Sequence, residues 1–289
     1  MKNIFKIVLL AAIFAITTHN ALAFERGFYS YDYTNVADSV LENPNEIDVM
    51  LPQAYVFTRG FQLSKVNDGG VIEAAQDNDI KITPLIYQEN FDRTLMSAIL
   101  LVKPLQKLVV DALIDEARDE DFAGWQFDFE NIAPNDKDRY TEFVKYAADR
   151  FEDADLELSV AIVPRQSDYR DGIDDPNWSV AYDLQEIANT VDYVTLMTYD
   201  DPYSKGPTAS YDFAKRTIEY SLTKAPAEKL SLGIPLYCSK WYINGGYRKR
   251  GSISHPLTDE DVDEAQFGFS GYSDSFKSEW DIYKVDSGN

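Results

Sequence analysis

Residues 124–130 read GWQFDFE, a stretch in which aromatic and polar side chains alternate without exception. Three residues of each kind take part: Trp125, Phe127 and Phe129 alternate with Gln126, Asp128 and Glu130. Because successive side chains of a β-strand point to opposite faces, the stretch predicts a strand with one aromatic and one polar, mainly acidic face. The aromatic face is expected to pack in a hydrophobic core.

Six further stretches have the length and the β-branched or aromatic content of buried strands. They are residues 27–31, 47–57, 80–87, 156–164, 191–199 and 230–237. Between the strands, residues 105–113 and 140–151 place apolar side chains three and four positions apart, which predicts helices with one buried face. Pro104 is expected to end or kink a helix that begins near Thr94.

Seven strands that alternate with helices predict a parallel sheet, and this order, sustained over about 210 residues, favours a (β/α)8 TIM barrel. A doubly wound open sheet is the alternative, although no G-x-G-x-x-G or Walker A pattern follows any strand. From about residue 243 to 289 the sequence is polar, aromatic and rich in glycine and serine, and we predict no regular element there. The eighth β/α unit is therefore expected to be absent or incomplete.

The barrel interpretation makes residues 124–130 the fourth strand, with polar side chains directed toward the barrel axis. Barrel interiors are normally filled with branched apolar side chains, so three polar residues in line carry a desolvation cost. Such a cost usually serves a site, and Glu130 falls at the C-terminal end of the strand, where barrel enzymes carry their chemistry. The alternative is an edge strand with a solvated acidic face.

Residues 1–23 have the features of a secretory signal peptide, since two lysines precede an apolar run and an A-L-A sequence supplies a small-residue cleavage site. The apolar run is shorter than the roughly 20 residues that span a bilayer. We therefore predict that the mature chain, residues 24–289, is secreted or periplasmic and has no membrane segment.

Removal of this leader takes the formal net charge from −22 to −24, because the leader carries two lysines and no acidic residue. Such a charge repels nucleic-acid phosphates and anionic lipid surfaces, so neither is expected as a partner. A neutral substrate suits the charge better, although a role in solubility alone explains it equally well.

Cys238 is the only cysteine, and His255 is the only histidine of the mature chain. These counts exclude an intrachain disulfide, a cysteine metal cluster and a histidine-rich zinc site. A serine or cysteine triad would depend on a single loop histidine. We expect no cofactor and no metal, so the chemistry should fall to carboxylates and tyrosines.

Asp128 and Glu130 lie two positions apart on one strand, about 6.5 to 7 Å between their Cα atoms. Their proximity should raise the pKa of one of them, and a protonated Glu130 would be a competent general acid. Two acids on one strand cannot easily flank an anomeric carbon from opposite faces, as the usual glycosidase pairs do. The nucleophile is therefore expected to come from elsewhere, for example from the substrate.

The stretch AGWQFDFE, residues 123–130, resembles the fourth-strand motif D-G-x-D-x-D-x-E of glycoside hydrolase family 18, the chitinases and their relatives. The glycine, the last aspartate and the glutamate match, whereas Ala123 and Gln126 replace the first two acids. Further segments are similar to this family in the same order: LPQAYVF, WSVAYDLQEIANTVDYV, MTYD and LGIPLYCSKW. The resemblance extends from about residue 27 to residue 241.

The resemblance implies a substrate that supplies its own nucleophile, because in this family the 2-acetamido oxygen attacks the anomeric carbon with net retention. Glu130 would protonate the leaving oxygen and later activate water, Asp128 would orient the acetamide, and Tyr199 would hydrogen-bond the acetamide oxygen. Gln126 would support Asp128 from deeper in the barrel, and Met197 and Asp200 would shape the floor of the sugar-binding site. Tyr55 and Trp241 are also expected to contribute to substrate binding. Ordinary packing is the alternative for Met197 and Tyr199.

Three hypotheses follow. The first is an exported hydrolase that cleaves β-linked N-acetylglucosamine in chitin oligomers or peptidoglycan, and the second is a chitinase-like lectin that binds such saccharides without cleaving them. The pair of Asp128 and Glu130 favours catalysis, whereas the lack of an eighth strand, on which the family carries a platform tryptophan, favours the lectin. The third is a truncated chain with two exposed sheet edges.

Overall fold

The computed structural model of the protein describes residues 25–30, 36–168, 178–201, 207–236, 239–244, 247–252, 266–273 and 278–284, with side chains up to residue 236. The predicted leader lies outside these ranges. The strands are β1 (Gly27–Ser30), β2 (Val49–Pro52), β3 (Tyr55–Phe57), β4 (Leu63–Lys65), β5 (Lys81–Ile82), β6 (Leu85–Gln88), β7 (Gly124–Phe127), β8 (Glu157–Ile162), β9 (Tyr193–Leu196), β10 (Leu230–Leu232), β11 (Ser239–Asn244), β12 (Tyr247–Ser252), β13 (Gln266–Ser273) and β14 (Ser278–Lys284). The α-helices are α1 (Val36–Glu42), α2 (Val71–Gln76), α3 (Arg93–Leu101), α4 (Lys103–Asp119), α5 (Lys137–Glu152), α6 (Leu184–Thr190) and α7 (Tyr211–Ser221).

The parallel strands follow one another in chain order. β1, β2 and β5 pair in one sheet, and β3, β6, β7, β8, β9 and β10 pair in that order in a second. Because β2 leads into β3 and β5 into β6, the two sheets form one path of seven strand positions. A doubly wound sheet reverses its strand order at a switch point, and this path does not. The seven predicted strands are therefore confirmed in barrel order, and the doubly wound alternative is wrong.

The tail differs from the prediction. β11 pairs with β12 and β13 with β14, both antiparallel, so the expectation of no regular element from residue 243 onward is wrong. β13 reads QFGFSGYS, in which glycine and serine, both weak strand formers, hide the alternation of aromatic residues. Among the strands described, only β9 pairs with β10 and only β2 pairs with β1, so no eighth barrel strand is seen within these ranges.

The aromatic face of β7 packs beneath the helices, as the alternation predicts. The ring of Phe127 stacks on Phe143 of α5 with centroids 5.7 Å apart, and the indole Nε1 of Trp125 donates to the carbonyl of Leu113 in α4 at 2.9 Å. Both flanks of β7 are paired, with β6 on one side and β8 on the other. The edge-strand alternative is therefore wrong.

The helical layer also follows the sequence signals. α3 begins next to Thr94, where the Asp92 carboxylate caps the helix by accepting from the Thr94 N–H at 2.7 Å. The helix is interrupted at Val102, and Pro104 lies in the first turn of α4, where a missing N–H removes no helical hydrogen bond. The prediction that the helix ends or kinks near Pro104 is confirmed. No helix in the described ranges has both the length and the apolar character needed to cross a membrane.

Gly124 provides a test of the strand packing. A Cβ atom at this position would lie 2.2 Å from the carbonyl oxygen of Glu157 in β8, a backbone atom that cannot move without disturbing the ladder. We expect Gly124→Ala to lower the free energy of unfolding by about 1 to 3 kcal/mol, measured by urea denaturation. Gly60→Ala is the matched control, because its Cβ would lie 3.5 Å from the Thr58 hydroxyl. Equal midpoints for both variants would contradict this packing.

Candidate active site

The polar face of β7 points into the barrel. Gln126 is fully buried, and its side chain joins three strands: Oε1 accepts from the Tyr29 hydroxyl at 2.5 Å, while Nε2 donates to Ser159 Oγ at 3.0 Å and Thr195 Oγ1 at 3.1 Å. An amide can serve as acceptor and donor at once, which an ionised carboxylate cannot. Gln126 therefore ties β1, β8 and β9 together below the acids, which is the deep position predicted for a residue that supports Asp128.

Asp128 lies one step above, at 5% exposure. Its Oδ2 accepts from Gln53 Nε2 at 3.3 Å, a long bond that offsets little of the desolvation cost. Burial and the charge of Glu130 raise the pKa of Asp128 well above its usual range. The negative charge of Asp128 in turn helps to raise the pKa of four surrounding tyrosines, namely Tyr29, Tyr87, Tyr140 and Tyr182.

Glu130 lies at the rim of the same face and is partly exposed. Burial, with a contribution from the charge of Asp200, raises its pKa to about 7. A carboxyl group with this pKa is half protonated near neutrality and can both donate and accept a proton. The pair thus places a proton donor at the mouth of the barrel and a second, deeper carboxyl group beside it.

Tyr199 follows β9 and reaches the same region. Burial raises the pKa of Tyr29, and both Tyr199 and Asp128 add to this increase. Gly233 makes room for the Tyr199 ring, because a Cβ there would lie 2.6 Å from Tyr199 Cε1 and 2.9 Å from the Leu196 carbonyl oxygen. The ring therefore rests directly on the backbone that follows β10.

Met197 and Asp200 complete this edge of the barrel. Met197 is partly buried and lies two positions after Thr195, whose hydroxyl contacts the barrel floor, so strand alternation puts it on the inward side. Asp200 is exposed and has a left-handed backbone (φ 56°), a conformation that aspartate tolerates better than most residues. Of the predicted residues, Asp128, Glu130 and Asp200 are linked electrostatically, and Tyr199 acts together with Asp128 on the pKa of Tyr29.

Tyr55 does not belong to this cluster. Its ring is fully buried under the helices against Trp125, with centroids 5.0 Å apart, and its hydroxyl donates to the Glu116 carboxylate of α4 at 2.8 Å. Its expected role in substrate binding is corrected, because Gln53 and Ala54 interrupt the second barrel strand and Tyr55 falls on the outward parity of β3.

Trp241 is also not on the seventh barrel strand. That strand, β10, ends at Leu232, whereas Trp241 lies in β11 and is paired through its backbone with Arg250 of β12. The seventh strand was predicted over residues 230–237, and β10 covers only its first three residues, so the LGIPLYCSKW segment begins in β10 and ends in β11. The side chain of Trp241 lies outside the part of the chain for which side chains are described.

Several site residues escaped the sequence reasoning, namely Tyr29, Gln53, Tyr87, Tyr140 and Tyr182. Tyr182 lies within WSVAYDLQEIANTVDYV, a stretch identified by resemblance without a role for this tyrosine. Ser159 of β8 and Thr195 of β9 could have indicated the polar barrel interior from the sequence. Both are polar residues at inward positions of their strands, as Gln126 is in β7. Tyr140 was assigned only to the buried stripe of its helix.

The sequence matches the profile of Glycosyl hydrolases family 18 over residues 28–286. The chain belongs to this family. Within family 18, the retained motif positions Asp128 and Glu130 are the two carboxyl groups that the fold buries together. Gln126 replaces an acid of the family motif. Its side-chain amide is hydrogen-bonded to three neutral hydroxyl groups deep in the barrel.

Among curated relatives, the "Cortical fragment-lytic enzyme" of Bacillus subtilis (strain 168) is 34% identical over 148 residues, which cover 49% of this chain and 33% of that protein. The "Uncharacterized glycosylase YvbX" of the same organism is 31% identical over 160 residues, 54% of this chain and 45% of that protein. The matched region is thus less than half the length of either relative.

Two solved structures share the fold. The spore cortex-lytic enzyme SleL of Bacillus megaterium QM B1551 aligns with a TM-score of 0.76 and 23% identity, covering 91% of this chain and 62% of that chain. A chitinase from Chromobacterium violaceum ATCC 12472 aligns with a TM-score of 0.76 and 20% identity, covering 92% and 84%. Both have the TIM-barrel fold of family 18, which agrees with the strand order seen here.

The raised pKa of Glu130 has a consequence for stability. A group whose pKa rises from 4.5 to about 7 on folding stabilises the fold below pH 4.5 and loses that contribution as the pH rises through about 7. We expect Glu130→Gln to match the wild type at pH 4 and to exceed it by up to about 3 kcal/mol at pH 8. Urea denaturation at both values measures this difference.

The control for this prediction is Glu142→Gln, at an exposed position of α5. It should leave the difference between the two pH values as in the wild type. A Glu130→Gln protein that is no more stable than the wild type at pH 8 would show that the fold does not disfavour the ionised carboxylate.

Proposed function

We propose that this chain is a retaining glycosidase that hydrolyses β-linked N-acetylglucosamine bonds, with the substrate's 2-acetamido oxygen as nucleophile. The observation that carries the proposal is the pair of carboxyl groups that follow β7, in which Glu130 has a pKa of about 7 and Asp128 is almost fully buried beside it. Both groups project from the same side of one short chain segment. Neither can therefore attack from the side of the sugar opposite the other.

In the proposed reaction, protonated Glu130 donates its proton to the glycosidic oxygen while the acetamide oxygen attacks the anomeric carbon. The C–O bond to the leaving sugar breaks, and a cyclic oxazolinium ion forms. Glu130, now ionised, removes a proton from water, whose oxygen then attacks the anomeric carbon and restores the acetamide. Two displacements at one carbon give net retention.

Asp128 and Tyr199 act on the acetamide. Burial disfavours the ionised form of Asp128 in the free protein, and the incoming acetamide N–H supplies a hydrogen-bond donor that favours it. The ionised carboxylate then stabilises the positive charge of the oxazolinium ion at close range. The Tyr199 hydroxyl donates to the acetamide oxygen and orients it for attack, with Gly233 holding the ring in place.

The substrate class is drawn from the relatives. One is named a cortical fragment-lytic enzyme and one structural neighbour is a chitinase, and the shared chemistry is a β-linked N-acetylglucosamine unit. Chitin oligomers and peptidoglycan are therefore the proposed substrates. Export of the mature chain from residue 24, to the periplasm or the medium, would place the protein where such polymers occur.

A carbohydrate-binding protein without activity is the second candidate. One observation favours it: among the strands described, β10 and β1 each pair with a single strand. No described strand therefore closes the barrel between β10 and β1, next to the candidate site. Binding without turnover by the wild type would select this candidate.

The direct test compares the wild type with Glu130→Gln on N-acetylglucosamine oligomers, with products separated by length. We expect hydrolysis by the wild type and a loss of about 100- to 10,000-fold in kcat for the variant, since the proton donor is absent. An oligomer with hydroxyl groups in place of the acetamides should not be cleaved. Its cleavage would contradict attack by the acetamide oxygen.

The pH profile tests the role of Asp200. Glu130 is faced by Asp128 on its own strand, by Asp200 after β9 and by the Tyr182 hydroxyl before α6. Because the reaction needs protonated Glu130, kcat/KM should fall tenfold per pH unit above about 7. Asp200→Asn removes a negative charge and should move this limb to lower pH, whereas the distant Asp121→Asn should not. An unmoved limb would show that Asp200 does not act on Glu130.

A further inference from the structure

The backbone that carries Glu130 lies beyond the regular strand. β7 ends at Phe127, which is paired with Val160 of β8, and the N–H of Asp128 makes the last ladder bond, to the Ile86 carbonyl at 2.9 Å. The next three residues continue in irregular structure. A loop segment at this depth needs other partners for its carbonyl groups.

Side chains from three different elements supply those partners. The Tyr182 hydroxyl, before α6, donates to the Phe129 carbonyl at 2.8 Å. The Gln88 amide, at the end of β6, donates to the Glu130 carbonyl. The Nε of Arg93, the first residue of α3, donates to the Asn131 carbonyl at 3.2 Å. Three successive carbonyl groups thus each accept from a separate side chain, which we call the carbonyl clamp.

Asn131 closes the clamp with its side chain. Its Oδ1 accepts from Arg93 Nη2 at 2.6 Å, and its Nδ2 donates to the Phe91 carbonyl at 3.0 Å. Both Asn131 (φ 53°) and Phe91 (φ 48°) have left-handed backbones, which is uncommon for a residue as large as phenylalanine. Strain of this kind persists only where neighbouring contacts over-determine the conformation, and it clusters at active sites.

We propose that the carbonyl clamp of Tyr182, Gln88, Arg93 and Asn131 positions Glu130 for proton transfer. None of these residues needs to touch the reacting atoms, so they are positioning residues. They fix the main chain on both sides of Glu130, which leaves its carboxyl group only its own side-chain torsions. The inference rests on the proposed function, in which Glu130 is the proton donor.

The physical reason for such a clamp is the short range of proton transfer. A general acid must lie about 2.6 to 3.2 Å from the atom that it protonates, and a displacement of roughly 1 Å can cost on the order of 100-fold in rate. A loop held only at its ends would allow such displacements. Helices and strands hold a functional group more accurately, and the clamp connects this loop to α3 and β6.

Two substitutions remove clamp bonds and preserve packing. Tyr182→Phe deletes one hydroxyl donor, and Arg93→Gln deletes the donors to the carbonyl and side-chain oxygens of Asn131, with Arg93→Lys as the conservative variant. Each has a matched control outside the site. Tyr146→Phe deletes a hydroxyl on α5 that accepts from Arg150, and Arg139→Gln deletes an ion pair with Asp136.

The first readout is steady-state hydrolysis of N-acetylglucosamine oligomers. We expect Tyr182→Phe and Arg93→Gln to lower kcat by about 10- to 100-fold with KM within twofold of the wild type, because substrate contacts remain. Arg93→Lys should recover part of kcat, and both controls should match the wild type. Unchanged kcat in both clamp variants, or a rise in KM without a fall in kcat, would overturn the proposal.

The second readout does not depend on turnover. The ionisation of Glu130 can be followed by ¹³C NMR of the full-length protein labelled with ¹³C-glutamate. The Glu130 carboxyl resonance is assigned by its loss in Glu130→Gln. Release of the loop should admit water and lower the midpoint from about 7 in both clamp variants but in neither control. An unchanged titration midpoint in both clamp variants would overturn the clamp proposal, whether or not the wild type hydrolyses oligomers. A lack of hydrolysis by the wild type would count only against the proposed function.

Discussion

The desolvation of two neighbouring carboxyl groups at the C-terminal end of β7 governs the rest of the site. Asp128 and Glu130 project from adjacent inward positions, and ionising both in so little water is unfavourable. The pair therefore releases its protons at higher pH than isolated carboxyl groups do. The surroundings follow from this constraint, since the groups around Asp128 are four tyrosine hydroxyls and one amide, which tolerate a neutral or a charged neighbour without carrying a fixed charge.

The opposite face of the same strand offsets part of this cost. Trp125, Phe127 and Phe129 are fully buried, and each large apolar side chain contributes on the order of 2 to 3 kcal/mol when removed from water. Stacking of Phe127 on α5 and the indole hydrogen bond to α4 also fix the rotation of the strand. A strand held in this way presents its acids in one direction only, so the aromatic face that builds the core also aims the candidate active site.

The sequence allowed the barrel, the strand order and most of the inward acids to be predicted, because strict alternation and helical periodicity are local signals. Tyr55 could not be assigned correctly, because the alternation is broken between β2 and β3. Gln53 contacts Asp128 inside the barrel, whereas Tyr55, two positions later, packs against Trp125 beneath the helices. The carbonyl clamp was not predictable either. Gln88, Arg93, Asn131 and Tyr182 come from three distant segments, and no spacing in the sequence relates them.

The central claim is that one strand supplies the proton donor while the substrate supplies the nucleophile. The measurement that tests it most directly is the anomeric configuration of the first product released from a β-linked N-acetylglucosamine oligomer, followed by ¹H NMR before mutarotation. The account predicts the β-anomer, because two successive displacements occur at the anomeric carbon. The α-anomer as first product would mean direct attack by water from the opposite side, and it would contradict the account.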